Sequence, residues 1–162
     1  MTTLLKNGRV ITPDRIIENG YILIKDDMIA GVGTGELPQA DETLDAAGSY
    51  ISPGFVDIHI HGGGGYDFMD GTLEAFVGVA KANLPYGTTT LYPTTLSCPN
   101  EMLYKVFNAF EKAREDKSVG SVFAGLHLEG PYLNLEYKGA MDPRYVVNPN
   151  LKEAEEILER SP

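Results

Sequence analysis

An apolar run that closes on two histidines constrains this 162-residue chain more than any other feature. The run Tyr50-Ile51-Ser52-Pro53-Gly54-Phe55-Val56-Asp57-Ile58 is rich in β-formers and is bounded by Pro53 and the glycines Gly62 to Gly65, so its latter part reads as a buried strand. Side chains alternate along a strand, which predicts Asp57, His59 and His61 on one face and Ile58 and Ile60 on the other. Both imidazoles can then reach one cation. An isolated His-x-His pair suits metal ligation or two hydrogen-bonded rings about equally, and the glycine run tips the reading toward metal.

A second passage has the same character. Val122-Phe123-Ala124-Gly125-Leu126-His127-Leu128-Glu129-Gly130-Pro131 sets His127 and Glu129 on one face at the end of another apolar strand. A carboxylate there needs a partner that offsets its desolvation, either a metal or an Arg or Lys. For His127, a hydrogen-bonded imidazole that supports other groups is favoured over a direct ligand.

The rest of the chain organises around these passages. Residues 1–50 hold short β-like runs at 4–11, 20–25, 28–32 and 42–45, with Asp26-Asp27 as a tight hairpin, and read as a small domain of antiparallel strands. Residues 51–162 then alternate strand and helix. A strand ends at His61, and a helix over 72–84 follows with Thr72 as its cap. A strand over 88–92 precedes a helix over 99–115 that has Pro99 at its first position. A third strand ends at Glu129, and a helix over 150–160 is capped by Asn150. Such alternation implies an α/β fold with a parallel sheet, and in barrels of such units functional groups gather at the C-terminal strand ends.

Composition narrows the function classes. Lys and Arg total 13 against 23 acids, a formal charge of −10, which disfavours nucleic acid and anionic membrane surfaces. With 43% hydrophobic residues, 22% charged and no run approaching the roughly 20 apolar residues of a membrane span, the chain reads as an ordinary cytoplasmic protein. The single cysteine, Cys98, excludes an internal disulfide and reads as a packing residue.

Pro53-Gly54-Phe55-Val56-Asp57-Ile58-His59-Ile60-His61-Gly62-Gly63-Gly64-Gly65, Gly87-Thr88-Thr89-Thr90-Leu91-Tyr92-Pro93-Thr94, Gly125-Leu126-His127-Leu128-Glu129-Gly130-Pro131-Tyr132-Leu133-Asn134 and Lys138-Gly139-Ala140 together resemble the N-acetylglucosamine-6-phosphate deacetylases of the amidohydrolase superfamily. The first motif indicates only the superfamily, and the His-Leu-Glu-Gly-Pro passage is the more specific. The resemblance implies the first three β/α units of a TIM-type (β/α)8 barrel preceded by a small β domain, incomplete as given, since a barrel takes about 250 residues. It also implies removal of acetate from N-acetylglucosamine 6-phosphate, with a divalent ion, zinc or iron, on Glu129 and with His59 and His61 supporting a further metal position. Gly139 and Ala140 would meet the sugar through their loop backbone.

Two departures qualify that expectation. Many such deacetylases have a histidine after the Gly-Ala pair, whereas this chain has Met141. No histidine follows His127 and the last aspartate is Asp142, so the family's later ligands and its catalytic aspartate have no counterpart, and no catalytic residue is assigned within the chain. The expectation is therefore an inactive first half of an enzyme, forming a homo-oligomer or pairing with a missing half through unpaired strand edges. The alternatives are a non-catalytic metal-binding or partner-binding half-barrel, or an amidohydrolase for another N-acyl substrate. Asn134, Lys138 and Arg144 are loop residues that read as solvated, and Tyr66, Tyr92 and Tyr132 as packing.

Overall fold

The computed structural model describes all residues, Met1 to Pro162, as two compact units, Met1–Pro53 and Gly54–Pro162. The first unit is a mixed sheet. Strands β1 (Thr2–Ile11), β2 (Ile16–Lys25) and β3 (Met28–Thr34) form an antiparallel meander, with Asp26 at φ +56° in the two-residue turn between β2 and β3. Strands β4 (Glu42–Asp45) and β5 (Tyr50–Ile51) instead run parallel to β1, so the expected all-antiparallel domain is corrected. The cause is the connection before β4. Residues 35–41 form an irregular return with enough reach, at up to about 3.3–3.6 Å per residue, to carry the chain back to the start of β1. There Asp41 accepts bonds from the Thr2 backbone and hydroxyl, and β4 enters in register Thr3↔Glu42.

In the second unit the parallel sheet has β9 (Thr88–Thr95) at its centre, with β6 (Phe55–Ile60) on one side and the short β10 (Val122–Phe123) and β11 (His127–Leu128) on the other. The third expected strand is thus two pieces, broken at 124–126. Between β6 and α1 the glycine run folds into a miniature hairpin, β7 (Gly62–Gly63) against β8 (Tyr66–Asp67). Its turn places Gly64 and Gly65 at φ +63° and +88°, which side chains resist.

Helix α1 (Leu73–Asn83) starts where Thr72 Oγ1 accepts the Ala75 N–H, and it buries Ala75, Phe76, Val79 and Ala80 on one face. Helix α2 (Asn100–Glu115) starts one residue later than expected, because Pro99, at φ −58° and ψ 142°, stands in extended backbone before it. The α2 stripe Val106, Phe110 and Ala113 packs with α1 and the sheet on Phe68, Leu91 and Phe123. Phe76 lies at the middle of this core, fully buried, with ring centroids 4.7 Å from Phe68, 5.6 Å from Phe123 and 6.4 Å from Phe110. Helix α3 (Leu151–Arg160) is capped by Asn150, whose side chain accepts from the Lys152 and Glu153 N–H groups, and it buries Ile157 against Leu103 and Phe107.

Strand β6 is not the buried strand its composition suggests. Phe55, Val56 and Ile58 are 62%, 57% and 67% exposed, because β6 has a strand partner on the β9 side only. No helix of the molecule is long and apolar enough to cross a membrane.

Candidate metal centre

The two histidine-bearing passages meet at the C-terminal ends of the parallel strands. His59 Nε2 lies 3.2 Å from His61 Nε2, and Glu129 Oε2 lies 3.2 Å from the first and 3.1 Å from the second. The three donor atoms therefore form a nearly equilateral triangle. Donors on a tetrahedral ion with bonds of about 2.0–2.1 Å stand about 3.3 Å apart, so the triangle has the dimensions of one face of such a site. Two imidazoles and a carboxylate, with a position left open, also match the donor chemistry of hydrolytic zinc sites. The side chains of His61 and Glu129 are 34% and 30% exposed and that of His59 is 45% exposed, so solvent reaches the triangle.

Neighbouring backbone sets the rings. His61 Nδ1 is 3.1 Å from the Thr94 carbonyl oxygen, and a carbonyl only accepts, so Nδ1 carries the proton and Nε2 presents a lone pair to the triangle. Without a cation or an extra proton, lone pairs of His61 and Glu129 would face each other at 3.1 Å. Thr94 is itself fully buried on β9. Its hydroxyl donates to the Tyr92 carbonyl and accepts the Ile60 N–H.

The His-x-His segment departs from regular strand geometry. Asp57 pairs in register with Leu91 but Ile60 with Pro93, so β6 carries one more residue than β9 here, a β-bulge. Pro93 marks the place, since proline brings no N–H to the ladder. The bulge shifts Asp57 into phase with Ile60, and the expectation that Asp57 shares the histidine face is overturned. Asp57 Oδ1 instead accepts the His59 N–H at 3.1 Å. His127 stands outside the triangle: its Nδ1 donates to the Ile58 carbonyl, 3.0 Å away, and its ring lies edge-on to His59 at 4.7 Å.

Other sequence candidates are held elsewhere. Gly139, at φ +60°, and Ala140 are exposed in the loop after β11. That loop is braced within itself by Lys138 and anchored just past the end of β9 through Met141 and Ser97. Lys138 Nζ donates to the carbonyls of Gly139 and Met141, and Met141 is 4% exposed with its Sδ accepting the Ser97 N–H. Asn134 caps the Glu136 N–H, while Arg144 is engaged by Asp142, whose carboxyl this guanidinium lowers to about 2. The Tyr132 hydroxyl shares its one proton between the Glu153 carboxylate at 3.1 Å and the Asn150 carbonyl at 3.2 Å, tying the loop to α3. Tyr66 packs over Gly78, where a Cβ would run into its ring. Cys98 sits against both apolar clusters, and burial pushes its thiol up, away from the reactive thiolate. Thr94 carried no signal of its own within a run of threonines, although Pro93 beside it, in an otherwise β-forming run, is the trace a bulge leaves.

Comparison with known proteins agrees with this geometry. The N-acetylglucosamine-6-phosphate deacetylase of Bacillus subtilis (strain 168) is 35% identical over 149 residues, covering 88% of this chain and 37% of that protein. The solved N-acetyl-D-glucosamine-6-phosphate deacetylase of Mycobacterium smegmatis, in complex with N-acetyl-D-glucosamine-6-phosphate, superposes with a TM-score of 0.82 at 30% identity, over 98% of this chain and 40% of that one. The Pasteurella multocida N-acetylglucosamine-6-phosphate deacetylase shares the fold with a TM-score of 0.87 at 23% identity, over 99% of this chain and 42% of that one. The chain thus spans about two fifths of the length of the proteins it matches. The model described as amidohydrolase family matches residues 50–161, which include every donor of the triangle, and this chain belongs to that family.

Proposed function

We propose that the chain carries the first metal-binding passages of an N-acetylglucosamine-6-phosphate deacetylase, the enzyme that releases acetate from N-acetylglucosamine 6-phosphate and leaves glucosamine 6-phosphate. The observation that carries this reading is the donor triangle of His59, His61 and Glu129 at the C-terminal strand ends. The names of the matched relatives support the substrate. In this reading the second unit is the first three β/α units of a (β/α)8 barrel. A bound zinc or iron ion would lower the pKa of a water toward about 7 and polarise the amide carbonyl. Glu129 brings the one negative charge to that ion, and His61, held by the Thr94 carbonyl, brings a neutral imidazole with its lone pair already aimed. The Gly139-Ala140 backbone offers its polar groups to the sugar from a loop fixed by Lys138 and Met141.

We assign no acid or base within the 162 residues and expect metal binding without turnover. The test is acetate release from N-acetylglucosamine 6-phosphate by the purified chain with added Zn²⁺, beside a count of bound ions. One bound ion without release supports the reading. Release shows a complete site and overturns the inactive state, and no bound ion overturns the metal site. The exposed Phe55, Val56 and Ile58 on β6 favour a second reading, a half-barrel that pairs with another copy or with the remainder of such an enzyme. A strictly monomeric species in sedimentation velocity at all concentrations would oppose it.

A further inference from the structure

We propose that His127 is a positioning residue that holds His59 toward Glu129 by capping the β-bulge on which His59 rides. The proposal rests on the metal reading above and adds the means by which β6 keeps its histidines aimed.

The bulge at Ile58–His59 takes backbone polar groups out of the β6–β9 ladder, and side chains take up three of them. The His59 N–H goes to Asp57 Oδ1 at 3.1 Å, the Ile60 N–H to Thr94 Oγ1 at 3.0 Å and the Ile58 carbonyl to His127 Nδ1 at 3.0 Å. Of these, only the His127 bond joins the two donor-bearing passages, because His127 lies on β11, two residues before Glu129. The same ring packs edge-on against His59, with planes at 81°. One side chain therefore fixes the carbonyl immediately preceding His59 and the lateral position of its imidazole. Since His127 is not among the three side chains whose donor atoms converge, the residue acts on the metal site through His59, at the remove where altered support costs roughly tenfold to a hundredfold in metal affinity.

Zn²⁺ affinity of the whole chain, measured by chelator competition for wild type, His127→Phe and His127→Asn, tests this. Phe keeps a ring and loses the donor, while Asn puts an N–H close to the position of imidazole Nδ1. The expected result is an affinity lower by about tenfold to a hundredfold in His127→Phe and within about threefold of wild type in His127→Asn. Wild-type affinity in the Phe variant overturns the proposal. Equal loss in both variants also overturns it, since His127 would then touch the ion itself. Histidine ¹⁵N NMR of the metal-free wild-type chain is the second measurement and requires no variant to fold. It should show His127 protonated at Nδ1 with a scalar coupling to the Ile58 carbonyl and contacts to the His59 ring, and their absence overturns the proposal. A wild-type chain that binds no Zn²⁺ overturns the metal reading itself, while the NMR result still decides whether His127 orders His59.

Discussion

Zn²⁺ should raise the melting temperature of unit Gly54–Pro162 by roughly 10 °C, and Glu129→Gln should erase that gain. The donors lie at the end of β6 and just past β11, roughly seventy residues apart in the chain, so the unfolded chain does not hold them together and binding counts in full against unfolding. At a free ion concentration a hundredfold above Kd the stabilisation is about 2.7 kcal/mol. A unit of roughly 110 residues unfolds with an entropy near 0.23 kcal/mol/K, which converts that energy to about 12 °C. Gln keeps the size of Glu129 and removes the only anionic donor. Its contacts with His59 and His61 are partly exposed and contribute at most about 1 kcal/mol without the ion, so the metal-free melting temperature should move by no more than about 4 °C. Calorimetric melts in Zn²⁺ and in EDTA, for wild type and variant, measure all four values. An equal Zn²⁺ shift in both proteins would refute the role given to Glu129, and no shift in wild type at saturating Zn²⁺ would refute the site.

Phe76→Ala should destabilise the second unit by about 3–5 kcal/mol in urea unfolding, because it empties the space between Phe68, Phe110 and Phe123; a loss under 1 kcal/mol would show that this core collapses onto the gap. Arg144→Gln should raise the Asp142 carboxyl from about 2 toward the ordinary value near 3.8, read by NMR titration. Since the folded carboxyl lies below its ordinary value, whatever the pair adds to stability is present above pH 4 and fades as pH falls toward 2.

What the sequence made legible is what short-range chemistry decides. Thr72 and Asn150 announce their helices because a cap bonds to an N–H two or three residues on, and α1 and α2 follow from apolar spacing at 3.6 residues. His61 and Glu129 stood out as candidates because each ends an apolar run beside glycine, where a polar side chain needs a reason, and His59 because strand alternation puts it on the face of His61. The remainder depends on register between distant segments. That β4 and β5 run parallel to β1 follows from the path of residues 35–41, which no local pattern fixes. The bulge that removes Asp57 from the histidine face depends on which residue of β9 lies opposite, and the importance of Thr94 appears only when Ile60 and His61 are brought beside it. The exposure of β6 reflects its having a strand partner on the β9 side only, where composition reports just the side chains that would suit a second.

The mooring of the Gly139-Ala140 loop joins two selective pressures at Met141. Because Met141 is packed in the interior and its sulfur meets the Ser97 backbone, the position of the adjoining Ala140 backbone is set by a buried side chain. A screen for tighter packing behind the loop is thus also a screen of backbone positions at its tip. On the proposed function, such changes would move the sugar-facing backbone while every residue facing the substrate stayed the same.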